Sequence, residues 1–448
     1  MLSIAVINLL IAFESRVILI YCEIELQKNS VALLVQAAAD HSNSSVRERF
    51  HCSMDPLSKI LTLSEAEREA KGLLHTPKEI FQQPDTWRRT YEKLARLAPE
   101  VELFLRRAGV RNASNERPSV FLVGAGTSDY VGKTLAALLR YKWECEVSVI
   151  PSTDLLTNPG DFVVPGKSYV WISFSRSGDS PEGVALLESI LDRRADIHHI
   201  IVCCNGAGRM VRSLGGRANV LRIILDDEVN DKALAMTSSF SNMVVAGQCL
   251  AHIQELGAYS ASLDALISAG RSFLPAAAEV TEQLVAKGFS RICFLGTGPL
   301  KGVAVESGLK VLELTAGTIV TFNESFLGVR HGPLSAIDEE TLVVAFVSSD
   351  ARRRSYEMDL LEEMRDKKLG KTILMIVPDA GREKPNDLAT IGLTLPLEVS
   401  VDDYYRPPVD VFVGQLLGLF ASIKLGLMPD APSASGAISR VVSKVRIH

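Results

Sequence analysis

The chain repeats itself with an offset of 172 residues. Phe121-Leu122-Val123-Gly124-Ala125-Gly126-Thr127 resembles Cys293-Phe294-Leu295-Gly296-Thr297-Gly298. An apolar run ending at Phe174 has its counterpart in one ending at Phe346, and Ser177 then falls on Ser349. A third run, Ile200–Cys204, falls near Ile373–Val377. Each copy is the size of a small domain, and 448 residues are too many for one typical core. From Pro118 onward, short apolar runs alternate with helical periodicity. That pattern specifies parallel strands joined by crossover helices. The fold expected is α/β: two tandem, doubly wound parallel sheets, each in a three-layer αβα arrangement, preceded by a helical segment.

The boundaries follow from changes in pattern. Residues 4–21 are apolar but broken by Glu14 and Arg16, and 41–51 are polar. No transmembrane helix or secretory signal is recognisable there. Residues 1–53 are therefore expected to be an extension, or a start placed too far upstream. Residues 54–115 carry amphipathic helical periodicity, with Leu57–Leu74 as one stretch and Trp87–Leu105 as another. The first sheet domain is placed at 116–270, the second at 271–430, and a tail at 431–448. A polar, helical segment at about 240–288 joins the copies.

Chemistry concentrates first at Ser173-Phe174-Ser175-Arg176-Ser177-Gly178-Asp179-Ser180-Pro181-Glu182. This stretch follows an apolar strand and enters a helix with Pro181 at a favoured first position. One helix cap needs one serine, and here there are four. Hydroxyls and unpaired N–H groups at a helix N-terminus make an anion site, and a phosphate is the anion expected. Thr127 and Ser128 follow a neighbouring strand and can reach the same crevice. Gly124-Ala125-Gly126 matches a dinucleotide fingerprint only in part, because Asp129 stands where the third glycine would be. In the second copy the corresponding stretch is Ser349-Asp350-Ala351-Arg352, without the glycine. That copy is expected to have lost the phosphate turn.

The second copy carries a different signal. Glu306, Lys310 and Glu313 are spaced i, i+4, i+7 and share one face of an otherwise apolar helix. The first copy has Thr134, Leu138 and Tyr141 at those places. Three charges in an apolar stripe form either a structural ion-pair ladder or a carboxylate base tuned by a lysine. Arg330-His331-Gly332-Pro333 places an imidazole, which titrates near neutrality, in a loop. Ala235-Met236-Thr237-Ser238-Ser239 is either a helix cap behind the acidic Asp226-Asp227-Glu228 or a substrate-facing turn.

Composition removes some classes. The net charge is −5 with no basic block, which argues against nucleic-acid binding. The seven cysteines have no paired or metal-like spacing, and most lie in apolar runs, as expected of reduced thiols in a cytoplasmic protein. The acidic run at 226–228 has no His or Cys beside it, so no metal site is expected.

Taken together, Gly-Thr-Ser at 126–128, the Ser-rich turn, Glu306…Lys310…Glu313 and Arg330-His331-Gly332-Pro333 resemble the sugar isomerase (SIS) domain proteins. The tandem arrangement looks like the isomerase half of glucosamine-6-phosphate synthase. Thr153–Pro159, Ala235–Ser239, Lys310–Gly317 and Pro432–Gly436 are similar to stretches of the bacterial galactosamine-6-phosphate deaminases/isomerases, long labelled tagatose-6-phosphate ketose/aldose isomerases. The resemblance covers about residues 70–448. It implies flavodoxin-like sheets and a hexosamine or ketohexose 6-phosphate held by Thr127, Ser128, Ser175, Arg176, Ser177 and Ser180. Glu313 would be the base between carbons 1 and 2, with Glu306 and Lys310 organising it. His331 would assist ring opening, from a partner subunit as in the synthase, which implies at least a homodimer. Ser238 and Arg440 would contact the substrate. Arg440, or Lys444 in another register, stands where the synthase has a lysine, and an arginine does not serve readily as an amine nucleophile. No cofactor, metal, nucleic acid or membrane is implied. Because the chain lacks the synthase's glutaminase domain, the direction implied is deamination of an amino-sugar phosphate. The alternatives are plain aldose–ketose isomerisation, deamination of glucosamine 6-phosphate, and a non-catalytic sugar-phosphate sensor.

Overall fold

The computed structural model describes residues 54–110, 117–213, 216–378, 388–397, 401–433, 435–441 and 445–448. The expectations for residues 1–53 and for Lys444 lie outside them. The chain divides into two units at Met54/Asp55, and the second contains the helices and strands of both sheets.

Among the described residues, α1 (Pro56–Leu61), α2 (Glu65–Ala70), α3 (Thr76–Phe81) and α4 (Gln83–Arg107) lead in. The stretch expected as one helix over Leu57–Leu74 is two, because Ser64 forms a capping box with Glu67 and restarts the helix there. The first sheet contains β1 (Ser119–Gly124), β2 (Val147–Pro151), β3 (Tyr169–Ser175), β4 (His198–Cys203) and β5 (Val220–Ile224), in the order β2-β1-β3-β4-β5. Its helices are α5 (Thr127–Trp143), α6 (Ser152–Thr157), α7 (Pro181–Arg193) and the short α8 (Arg209–Arg212). Two helices come next, α9 (Ser238–Ala251) and α10 (Leu256–Lys287).

The second sheet contains β6 (Arg291–Gly296), β7 (Val320–Glu324), β8 (Thr341–Phe346), β9 (Thr372–Pro378) and β10 (Leu393–Leu397), in the order β10-β9-β8-β6-β7. Its helices are α11 (Pro299–Leu314), α12 (Ala351–Asp366), α13 (Pro407–Asp410) and α14 (Phe412–Lys424). All the pairings are parallel. Both sheets have the doubly wound order 2-1-3-4-5, whose ligand crevice lies at the carboxyl ends of the first and third strands.

The repeat is kept at residue level. Phe121 pairs with Trp171, and Cys293 pairs with Val343, so the offset of 172 holds on both strands. Gly126 (φ +56°) and Gly298 (φ +62°) occupy the same left-handed position before their helices. Strand alternation sorts each run between two layers. Val120, Leu122, Ile292 and Phe294 face one large core shared with α5, α9, α10, α11 and α14. Phe121 and Val123 face α6 and α7, while Cys293 and Leu295 face α12. The joining segment differs from its expected polarity, since every residue of α9 is buried. The domain boundary expected at 270/271 also falls inside α10, a single helix of 32 residues.

The two copies meet where α5 crosses α11. A Cβ on Gly302 would lie 2.7 Å from Thr134 Cγ2 and 2.8 Å from the Thr134 backbone nitrogen, so only glycine lets the helices approach this closely. Gly302→Val should therefore destabilise the protein by about 1–3 kcal/mol through overpacking. Urea unfolding followed by tryptophan fluorescence measures this; an unchanged midpoint would show that the crossing is not tightly packed.

Candidate active site

At the carboxyl edge of the first sheet, the turn after β3 lines a cavity of about 180 Å³. Ser173, Ser175, Arg176, Ser177 and Ser180 line it, together with Ser128 from α5, Ser152 from α6, and Arg440 and Val441 from the tail. The turn is shaped from within. The Gly178 N–H donates to Ser175 Oγ at 3.0 Å, and the Asp179 N–H donates to Ser177 Oγ at 3.2 Å. Gly178 has φ +66°, and a Cβ there would lie 2.9 Å from Cys203 Sγ. Ser180 donates to Glu182 at 3.0 Å, and the buried Ser173 hydroxyl has no hydrogen-bond partner. A pocket this rich in hydroxyls, bordered by two arginines, suits an oxyanion.

Arg176 is placed differently from its expected role. Its guanidinium is buried and donates to the carbonyls of Ala233 (3.2 Å), Leu234 (2.9 Å) and Arg440. Arg440 in turn donates to the Asp231 carbonyl and to Asn230 Oδ1, each at 2.8 Å. The two arginines interlock the tail with the 230–234 loop along the cavity wall. Burial pulls the Arg176 guanidinium below its ordinary pKa, and the Asp231 charge works against that shift.

The Glu306–Lys310–Glu313 triplet lies on α11. Lys310, with none of its side chain exposed, donates to Glu313 Oε2 at 2.5 Å and to Thr127 Oγ1 at 3.0 Å. It lies 3.4 Å from Glu306 Oε1, and Thr127 hydrogen-bonds that same oxygen at 3.2 Å. Thr127 thus serves the triplet, while its neighbour Ser128 lines the cavity. Glu306 is fully buried, and its Oε2 has no partner. Burial pushes its carboxyl up to about 8, with Lys310 opposing. Lys310 is shifted upward, as the two carboxylates outweigh its burial. Glu313 keeps 23% of its side chain exposed and is the member that faces outward.

Two expected residues stand apart from this group. Ser238 is fully buried; its hydroxyl donates to the Glu79 carbonyl at 2.6 Å and accepts from Gln82 at 3.0 Å. The 237–239 cluster is a helix cap, and its acceptor is Asp231, which takes the N–H groups of Thr237, Ser238 and Ser239. Of this stretch Met236 lines the cavity. His331 is exposed in the loop after a short turn at Gly328–Arg330, outside the cavity lining.

The sequence reading missed three contributors. Ser152 lines the cavity from the end of β2, where a lone serine gives no pattern. Tyr130, one helical turn beyond Thr127, is half-buried, and burial with the Glu306 charge raises its phenol. Asp231 lies six residues before Thr237, and its buried carboxyl is also shifted upward by burial. An aspartate ahead of a Thr-Ser-Ser run was the one signal for it.

The Glu306 shift has a consequence for stability. The folded chain holds its proton up to about pH 8, whereas an unfolded glutamate releases it near its ordinary value of 4.5. The stabilisation is full below that value and is lost as pH rises through about 8. Glu306→Gln should therefore gain stability relative to the parent as pH rises, by at least about 1 kcal/mol at pH 8.5, since one pKa unit is worth about 1.4 kcal/mol. Calorimetry across pH 5–9 measures the difference; a pH-independent one would remove the assignment.

Among the described residues no helix is long and apolar enough to cross a membrane. No family model matches the chain. D-galactosamine-6-phosphate deaminase AgaS of Escherichia coli is 34% identical over 376 residues, covering 83% of this chain and 95% of that protein. The AgaS deaminase of Shewanella sp. strain ANA-3 is 31% identical over 394 residues, covering 87% and 95%. The crystal structure of tagatose-6-phosphate ketose/aldose isomerase from Escherichia coli superposes with a TM-score of 0.74 at 32% identity, over 83% of this chain and 96% of that one. With the repeated sheets, the serine-lined cavity and the Glu–Lys–Glu helix, these likenesses place the chain in the AgaS family of SIS-domain sugar-phosphate isomerases/deaminases.

Proposed function

We propose that the chain converts galactosamine 6-phosphate to tagatose 6-phosphate and ammonia. One observation carries this reading: Thr127 and Ser128 are consecutive, and one holds the Glu–Lys–Glu triplet while the other lines the serine cavity. A substrate whose phosphate sits among Ser128, Ser175, Ser177 and Ser180 is anchored by its non-reacting end, and binding energy positions the reacting carbons. In the open-chain form, carbon 1 is an aldehyde and carbon 2 bears the amine. Glu313 takes the proton from carbon 2, and the electron pair moves toward the carbonyl to give an enolamine. Return of the proton to carbon 1, with a proton passing from the amine nitrogen to the oxygen on carbon 1, leaves an imine at carbon 2 and a hydroxyl at carbon 1. Water adds there, ammonia leaves, and the ketone results. Lys310 holds the Glu313 carboxylate in place through their ion pair. Glu306 and Thr127 fix the lysine from behind. Arg440 acts as part of the wall rather than as an amine.

In this reading His331 completes the site of a second copy, because it is exposed and lies outside the cavity of its own chain. The enzyme is then a homodimer or a higher oligomer. A cytoplasmic location suits a sugar-phosphate substrate, and Cys203, Cys204, Cys249 and Cys293 are buried free thiols. Plain aldose–ketose isomerisation uses the same base and differs only in releasing no nitrogen. A sensor would have no need of the buried triplet.

Ammonia release from galactosamine 6-phosphate, compared with glucosamine 6-phosphate in a coupled assay, is the direct test. Turnover with the galacto substrate and little with the gluco substrate is expected; steady isomerisation of a neutral sugar phosphate without ammonia would sink the deaminase reading. Glu313→Gln should lower kcat by about 10²–10⁴-fold while sparing phosphate-ligand binding. Mixing and reassembling Glu313→Gln with His331→Ala should restore about a quarter of the sites, because a mixed dimer holds one intact pair. Two inactive parents that stay inactive when mixed would place His331 in its own subunit's chemistry, and a fully active His331→Ala parent would place it outside the reaction.

A further inference from the structure

The second sheet has the same strand order as the first, yet the crevice between β6 and β8 is filled. Above Gly126 the space is open, with nothing within 4 Å of a Cβ built there. Above its counterpart Gly298 lies the Arg353 guanidinium, whose Nη1 is 3.3 Å from such a Cβ. The turn after β8 also retains its donors. Ser349, the counterpart of Ser177, donates both its N–H (2.8 Å) and its hydroxyl (2.9 Å) to Asp403 Oδ1. Ser348 donates its hydroxyl to Asp403 Oδ2, and Arg353 Nη1 reaches that oxygen at 3.4 Å. Arg406 Nη1 lies 3.7 Å from Oδ1. Asp403 comes from a segment more than 50 residues away along the chain, and it is 2% exposed.

We propose that the turn after β8 is a second oxyanion site, built like the one after β3 and kept shut by the carboxylate of Asp403. Two serine hydroxyls, one backbone N–H and two guanidinium groups are a donor set for a phosphate or sulfate, and a carboxylate satisfies it internally. The Ser348 N–H is taken by Glu357 at 2.7 Å, so the site is narrower than its partner. The plug leaves the duplicated molecule with one open phosphate cradle. A sugar phosphate then has one way to lie across Thr127. It also fastens the 401–410 segment under the second sheet, where Arg406 donates to the Val347 carbonyl at 2.8 Å and pairs with Asp410.

The test is chemical rescue in the full-length protein. Asp403→Ala removes the plug and leaves the donors. Melting temperatures are compared in sodium chloride, phosphate and sulfate at matched ionic strength, for the parent and the variant. The variant should melt lower in chloride, and phosphate or sulfate should restore at least half of the deficit relative to the parent in the same salt. Comparison within each salt cancels anion binding at the first cradle. Adding Arg353→Met to the variant should abolish the rescue. A deficit of equal size in all three salts, or a rescue that survives Arg353→Met, overturns the proposal. If Asp403→Ala does not fold in chloride, refolding from urea is followed by tryptophan fluorescence. Recovery in phosphate or sulfate alone supports the site, and recovery in none of the salts overturns it.

Discussion

One buried ammonium ties the two copies together through hydrogen bonds and ion pairs. Lys310 has no exposed side-chain surface, and an unpaired charge there would cost several kcal/mol. It is balanced by Glu313 at 2.5 Å, by Thr127 and by the nearby Glu306. Two of these partners are on its own helix and one is on the other copy. Because the lysine bonds groups on both copies, the crossing of α5 and α11 fixes how the cluster is held. Gly302 at that crossing is what lets the two helices come close enough for it.

The pair of copies has diverged by filling and emptying the same two places. In the first copy the crevice at the strand ends is open and lined with serines. In the second, Asp403 and Arg353 occupy the crevice, and the helix after the Gly-rich turn carries charges that its counterpart lacks. A serine-lined cavity and a charged helix thus belong to different copies and are joined through Thr127 and its neighbour Ser128. In the second copy the serines after β8 hold an internal carboxylate, Asp403, in place of an open turn.

The region around 230–240 shows how a sequence cluster can mislead. Hydroxyls at Thr237, Ser238 and Ser239 look like substrate contacts, but each is satisfied by a buried acceptor. Arg176 is the reverse case. It sits in the phosphate turn, yet its guanidinium serves neighbouring carbonyls and secures the tail through Arg440. Charge near a site does not by itself make a ligand; what the group is already bonded to decides.

Much of the fold and part of the site were legible in the order of residues. A repeat in strand pattern forces a repeat in topology, since period-two burial and parallel crossovers leave few alternatives, and the observed register keeps the offset of 172. Helical spacing alone put Glu306, Lys310 and Glu313 on one face. Local periodicity could not show that α9 is buried on all sides, that α10 runs through the expected boundary, or that Thr127 bonds the triplet rather than the cavity. Those features depend on groups far apart in the chain: Thr127 with Lys310, Asp231 with the α9 N-terminus, Asp403 with Ser349. The sequence determined which chemistry each copy could carry, because residue type and spacing are local properties. Which donors stay open and which are already taken was decided only by tertiary structure, because a hydrogen bond between distant segments exists only once packing has excluded water from both partners.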